Sequence, residues 1–133
     1  MAKGFVINLE KATEENVNFR KVMYTAHHSQ LVLMSLKPSE EIGMEVHPEN
    51  DQFLRIESGE GKAVIDGSEY PFAAGFCVVV PAGAQHNIVN TSTANELKLY
   101  TVYSPAHHRL DVVEATKEIA EADTEEFDGK TSE

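Results

Sequence analysis

The sequence predicts an all-β barrel or sandwich followed by one short C-terminal helix, and three observations carry that reading. Before Pro105 the chain is a succession of short β-branched or apolar runs, with turn residues at roughly eight- to twelve-residue intervals. Asp66-Gly67, between Ile65 and Ser68, is the dipeptide of a type I′ hairpin, whose two central residues both need positive φ. After Leu110 the period changes. Val112, Val113, Ala115, Thr116, Ile119 and Ala120 recur at helical spacing, which predicts a helix from Leu110 to about Ala122.

Taken in order, strands are predicted over Phe5 to Leu9, Phe19 to Thr25, Gln30 to Leu36, Ile42 to His47 and Gln52 to Glu57. Gly61 to Ile65, Glu69 to Phe72, Phe76 to Val80, Gln85 to Asn90 and Leu97 to Tyr103 complete the set. Residues 1–110 are thus read as the barrel and residues 111–133 as an acidic helix and tail. Beyond Asp123 the chain is polar and past the last periodic apolar position, so it is expected to fray and to add little stability. A chain of 133 residues makes one domain with an ordinary core.

Of 22 acidic residues, nine lie between Asp111 and Glu133 against two lysines, so this segment holds −7 of the net −11. An acidic chain without a basic run is a poor partner for nucleic acid or an anionic membrane surface, so neither is expected. No apolar run approaches the ~20 residues of a membrane helix, and the start lacks the long apolar stretch of a secretory leader. The single cysteine, Cys77, excludes an intrachain disulfide; a reducing cytoplasm fits. Cys77 is expected in a buried strand, as an inert core thiol. No Gly-rich phosphate loop, Ser-His-Asp order or Cys-x-x-Cys pair is present.

The most specific passage runs from Gly75 to Asn90. A strand must end at Pro81, which lacks an N–H; Gly83 allows a tight turn; His86 opens the returning strand and shares a face with Ile88 and Asn90. Gly75, Pro81, Gly83, His86 and Asn90 match, at every position, the second motif of the cupin superfamily, which the chain therefore resembles. A degraded first motif lies upstream in Glu45-Val46-His47-Pro48-Glu49-Asn50-Asp51-Gln52, six residues before Gly59. Glu45 stands where the family has its first His, Gln52 where it has Glu, and the leading Gly falls on Ser39. The resemblance covers roughly Gln30 to Pro105 and implies a jelly-roll β-barrel.

It also implies a divalent metal ion held by Glu45, His47, Gln52 and His86. Alternation agrees: Glu45 and His47 share one side of their strand, and Gln52 shares its face with Leu54 and Ile56. Polar groups turned into an apolar barrel are costly unless something satisfies them. Two imidazoles and one carboxylate form the donor set of non-haem iron sites, Gln52 adding a weak amide oxygen; iron, manganese, nickel, zinc and copper all suit such donors. A hydrogen-bonded, metal-free polar cavity is the alternative. The expected ligand is a small polar molecule. The resemblance implies a dioxygenase or a sugar isomerase-like enzyme, with Glu45 or Glu49 carrying a proton, and a non-catalytic binding or sensing module stands beside it.

Two further expectations concern the remaining histidines and assembly. His27-His28 falls in a turn and should be solvated. Tyr103-Ser104-Pro105-Ala106-His107-His108 is similar to the end of the last barrel strand in some small bacterial cupins, a segment able to fold over the barrel mouth. A homodimer is expected, with Phe5 to Leu9 as the edge that pairs.

Overall fold

The structure is a computed structural model that describes residues 1–133. Ten strands form two antiparallel sheets packed face to face. They are β1 (Arg20–Thr25), β2 (Gln30–Leu36), β3 (Glu45–Val46), β4 (Asp51–Ser58), β5 (Glu60–Ile65), β6 (Ser68–Ala73), β7 (Cys77–Val80), β8 (Gln85–Asn90), β9 (Leu97–Ser104) and β10 (Val113–Glu114). One sheet runs β10-β1-β2-β9-β4-β7 and the other β3-β8-β5-β6. Helices α1 (Leu9–Glu15) and α2 (Lys117–Ala122) lie outside them. This is an all-β jelly roll with a short C-terminal helix.

Alternation builds the core. Leu54 and Ile56 of β4, Val78 and Val80 of β7, Leu97 and Leu99 of β9, and Val32, Met34 and Leu36 of β2 all point inward and are buried together with Ile88 of β8. The Asp66-Gly67 turn has φ of 45° and 87°, as a type I′ hairpin needs, and joins β5 to β6 in direct register. Strand β7 stops at Val80 before Pro81, as its missing N–H requires. Ser39, where the motif's leading glycine falls, has φ +64°, so this serine holds a conformation more natural to glycine.

Four expectations need correction. Phe5 to Leu9 is not a strand: Asn8 caps α1, its side chain accepting from the N–H of Lys11, and Leu9 already lies in the helix. The C-terminal helix starts only at Lys117, capped by Thr116, because Val113–Glu114 pair with β1 as a tenth strand. Cys77 is exposed, since the inward side of β7 belongs to Val78 and Val80. Nor does the tail fray. The N–H of Phe127 donates to the His107 carbonyl, that of Ser132 to the Thr25 carbonyl, and the Glu133 carboxylate accepts from the Tyr24 hydroxyl and from the N–H groups of Lys3 and Gly4. Polar anchors of this kind leave no periodic signal. No helix is long and apolar enough to cross a membrane.

Candidate metal centre

The centre forms where the two sheets meet at one end of the barrel. Short β3 brings Glu45 opposite His86 of β8, and the chain turns at His47 just beyond. One ligand atom from each of Glu45, His47 and His86 lies within 4.8 Å of the others. His47 and His86 are buried, and their ring centroids stand 5.1 Å apart. His86 Nδ1 is 3.1 Å from the Ala84 carbonyl, which can only accept, so Nδ1 carries the proton and Nε2 keeps its lone pair. That is the arrangement that orients a metal-binding imidazole.

His47 Nε2 lies 3.0 Å from the Glu45 carboxylate. Burial alone would raise the Glu45 pKa. The hydrogen bond and charge of His47, with Arg20 and His86 behind it, outweigh burial and hold the carboxyl below its ordinary range. Glu45 is therefore an anion at neutral pH.

Gln52 sits on the inner face of β4, opposite Tyr103 of β9 in register. Its amide nitrogen donates to Thr101 Oγ1 at 3.1 Å, while Oε1 is buried with no partner. A buried, unsatisfied amide oxygen costs about 1–3 kcal/mol, and a hard cation is one group able to satisfy it. The donors present thus fit a divalent ion: two imidazoles, one carboxylate and one free amide oxygen. Glu49 does not join them. It is exposed in the Pro48–Glu49 turn.

Sequence reasoning missed Arg20, Glu114 and Glu125, which join the Tyr103–His108 segment in a second polar layer over the centre. Arg20 of β1 is buried against Glu114 of β10 at 2.7 Å, and its charge reaches Glu45. Tyr103 packs edge-on against His47, 5.7 Å between centroids. Its hydroxyl is 3.3 Å from His108 Nε2, and His108 Nδ1 is 2.6 Å from Glu125 of the tail. Burial raises the Tyr103 pKa, so the phenol keeps its proton and donates it to His108. Burial also lowers the pKa of His108, more than Glu125 raises it, leaving a neutral ring that donates from Nδ1. His107 stands 4.2 Å from the His47 ring, and burial, His108 and His47 push its pKa down to about 4. The His107-His108 segment does fold over the barrel mouth. Alternation gave a signal for Tyr103, on the inward side with Leu99 and Thr101, and for Arg20, on that of Val22; nothing local marks Glu125.

A cavity of about 210 Å³ opens above the centre, bordered by Arg20, Glu45, His107, His108, Lys117 and Glu125, among others. A larger one, about 360 Å³, lies where β6 and β7 approach, lined mostly by apolar residues such as Tyr70, Phe76 and Val79. The smaller one borders Glu45 of the candidate centre.

The sequence matches the cupin domain family over residues 32–103, more than half of the chain. The chain is a cupin. Its relatives include the uncharacterised protein L612 of Acanthamoeba polyphaga mimivirus, 47% identical over 107 residues, which are 78% of this chain and 67% of L612. The uncharacterised protein YrkC of Bacillus subtilis is 43% identical over 124 residues, 86% of this chain and 64% of YrkC. The cupin therefore spans about two thirds of the length of either relative. The crystal structure of BH2720 from Bacillus halodurans superposes with a TM-score of 0.89 at 38% identity, covering 91% of this chain and 96% of that one. As a cupin, the chain has a barrel suited to binding a small molecule.

Proposed function

We propose that this cupin binds one divalent metal ion through Glu45, His47 and His86, with Gln52 Oε1 as a further donor, and that a small polar molecule enters through the mouth cavity. The observation that carries the reading is the convergence of three ligand atoms within 4.8 Å, and the inner face of β4 adds an orphaned, buried amide oxygen at Gln52. When bound, such an ion supplies Lewis-acid chemistry toward an oxygen of the ligand. The chain's own residues do the rest. The His86 Nδ1–H bond to Ala84 fixes that ring, and the anionic Glu45 is the group able to accept a proton beside the cavity. Two imidazoles and a carboxylate with open positions favour a dioxygenase-like activity, or a sugar isomerase-like one. A phosphorylated sugar is disfavoured, because Glu45, Glu121, Asp123 and Glu125 outnumber Arg20 and Lys117 around the mouth. Cytoplasmic location and homodimer formation belong to the same proposal. Phe76, Val79 and Tyr70, exposed at the β6–β7 edge, offer apolar area for assembly in place of Phe5 to Leu9.

Elemental analysis of tag-free protein grown in metal-supplemented medium tests the centre. His47→Ala and His86→Ala should each lose most of the metal. Glu45→Gln should weaken binding sharply, since it removes the only formal charge among the donors. Gln52→Glu should keep the ion or hold it tighter. A second reading rests on the 3.0 Å Glu45–His47 hydrogen bond, which already satisfies two of the groups without a metal. In that case wild type carries no ion, the protein is a non-catalytic binding cupin, and Gln52→Glu buries a second carboxylate at a cost of several kcal/mol.

A further inference from the structure

We infer that His107, which lies outside both sequence motifs, is a further ligand of the metal centre. The inference rests on the metal-binding reading above and adds a residue to it. His107 and His108 are adjacent, yet their ring nitrogens are used differently. Both nitrogens of His108 are committed, one to Glu125 and one to Tyr103. Neither ring nitrogen of His107 makes a hydrogen bond within the protein, although its ring lies 4.2 Å from that of His47 and 5.4 Å from that of Tyr103. His107 borders the mouth cavity together with Glu45, so the ring faces the open side of the centre.

The backbone beneath it is fixed to an extent that a surface loop does not need. The buried Gln30 accepts from the N–H groups of both His107 and His108 through Oε1, and its Nε2 donates to the His108 carbonyl. The buried Asn50 donates to the carbonyls of Pro105 and Ala106. Phe127 donates to the carbonyl of His107 itself. Five hydrogen bonds from two buried amide side chains thus hold residues 105–108, while the imidazole they carry is left free. The main chain is thus fixed, and only the side-chain torsions of His107 are left free to bring its imidazole to an ion. His107 is not one of the three residues whose ligand atoms lie within 4.8 Å of one another, so its imidazole must turn toward them when the ion binds.

Copper(II) is a suitable probe, because imidazole donors suit it and its pulsed electron paramagnetic resonance spectrum counts coordinated imidazoles. The tag-free protein is loaded with one equivalent, and the affinity is measured by competition with a chelator. Three imidazoles are expected in wild type and two in His107→Ala. The affinity should fall by at least about 100-fold, at or beyond the upper end of what losing an outer-shell partner produces. His107→Gln, closer in size, guards against a packing effect and should behave as His107→Ala does. Two imidazoles in wild type, or an unchanged count in both variants whatever their affinity, would overturn the assignment and leave the Glu45, His47 and His86 centre standing. A wild type that takes up no copper, zinc or iron would remove the centre and this inference with it.

Discussion

The chain contains the dipeptide His-His twice, and the two copies share nothing but their sequence. His27-His28 sits in the turn between β1 and β2, exposed, the rings 6.4 Å apart and without a bonded partner. His107-His108 follows β9, and its rings lie within 6 Å of Tyr103 while that of His107 lies close to His47. The difference is made by groups remote in sequence: Gln30 from β2, Asn50 from the turn before β4, and Glu125 and Phe127 from the tail. A histidine is a solvated turn residue or part of a site according to which buried polar side chains anchor its backbone.

Removing the anchors one at a time sharpens that contrast. The largest effect is expected from Gln30→Ala, which deletes four hydrogen bonds, to Thr25, to the His108 carbonyl and to two N–H groups, and leaves buried donors unmet. A loss of about 3 kcal/mol or more is expected by urea denaturation. Truncation after Ala122 should come next, lowering the thermal midpoint by about 5 °C or more, because it strips Glu125 from the buried His108 and Ser132 from Thr25. An unchanged midpoint would return the tail to the frayed end that its composition suggests.

Glu125→Gln tests the charge alone, and its effect should depend on pH. Burial raises the Glu125 pKa, but the hydrogen bond from His108 and the N–H of Arg109 more than offset it, so the folded carboxyl lies below its ordinary value near 4.5. The unfolded chain therefore binds the proton more readily. The stabilisation is fully present above about pH 4.5 and is lost as pH falls through the folded value. Wild type and Glu125→Gln should differ by about 1–2 kcal/mol at pH 7 and converge as the pH falls below the folded value. Smallest of all, His27→Ala with His28→Ala should stay within about 0.5 kcal/mol of wild type by the same assay.

What was legible in the sequence follows the same division. Alternation and turn chemistry located nearly every barrel strand, the Asp66-Gly67 hairpin, and the inward side of Gln52, Leu54 and Ile56. The spacing from Gly75 to Asn90 marked His86, since a strand, a Pro stop and a Gly turn are local events. Cys77 misled because a continuous apolar run looks buried on both sides, whereas β7 is an edge strand with one outer face. Phe5 to Leu9 misled because apolar content does not reveal an N-cap at Asn8. The ion pair of Arg20 with Glu114 spans 94 residues and the hydrogen bond of His108 to Glu125 spans 17, and neither has a periodic trace.

Cys77 also has a practical consequence. It is the only thiol in the chain, and it stands exposed on the outer face of β7, beside strand β4 whose inner face carries Gln52. A nitroxide or fluorophore attached there marks each molecule once, without any engineered mutation. Spin relaxation from a paramagnetic ion would then report how far the label lies from the barrel mouth. A symmetric pair of molecules would give a single label-to-label separation, and a monomer none.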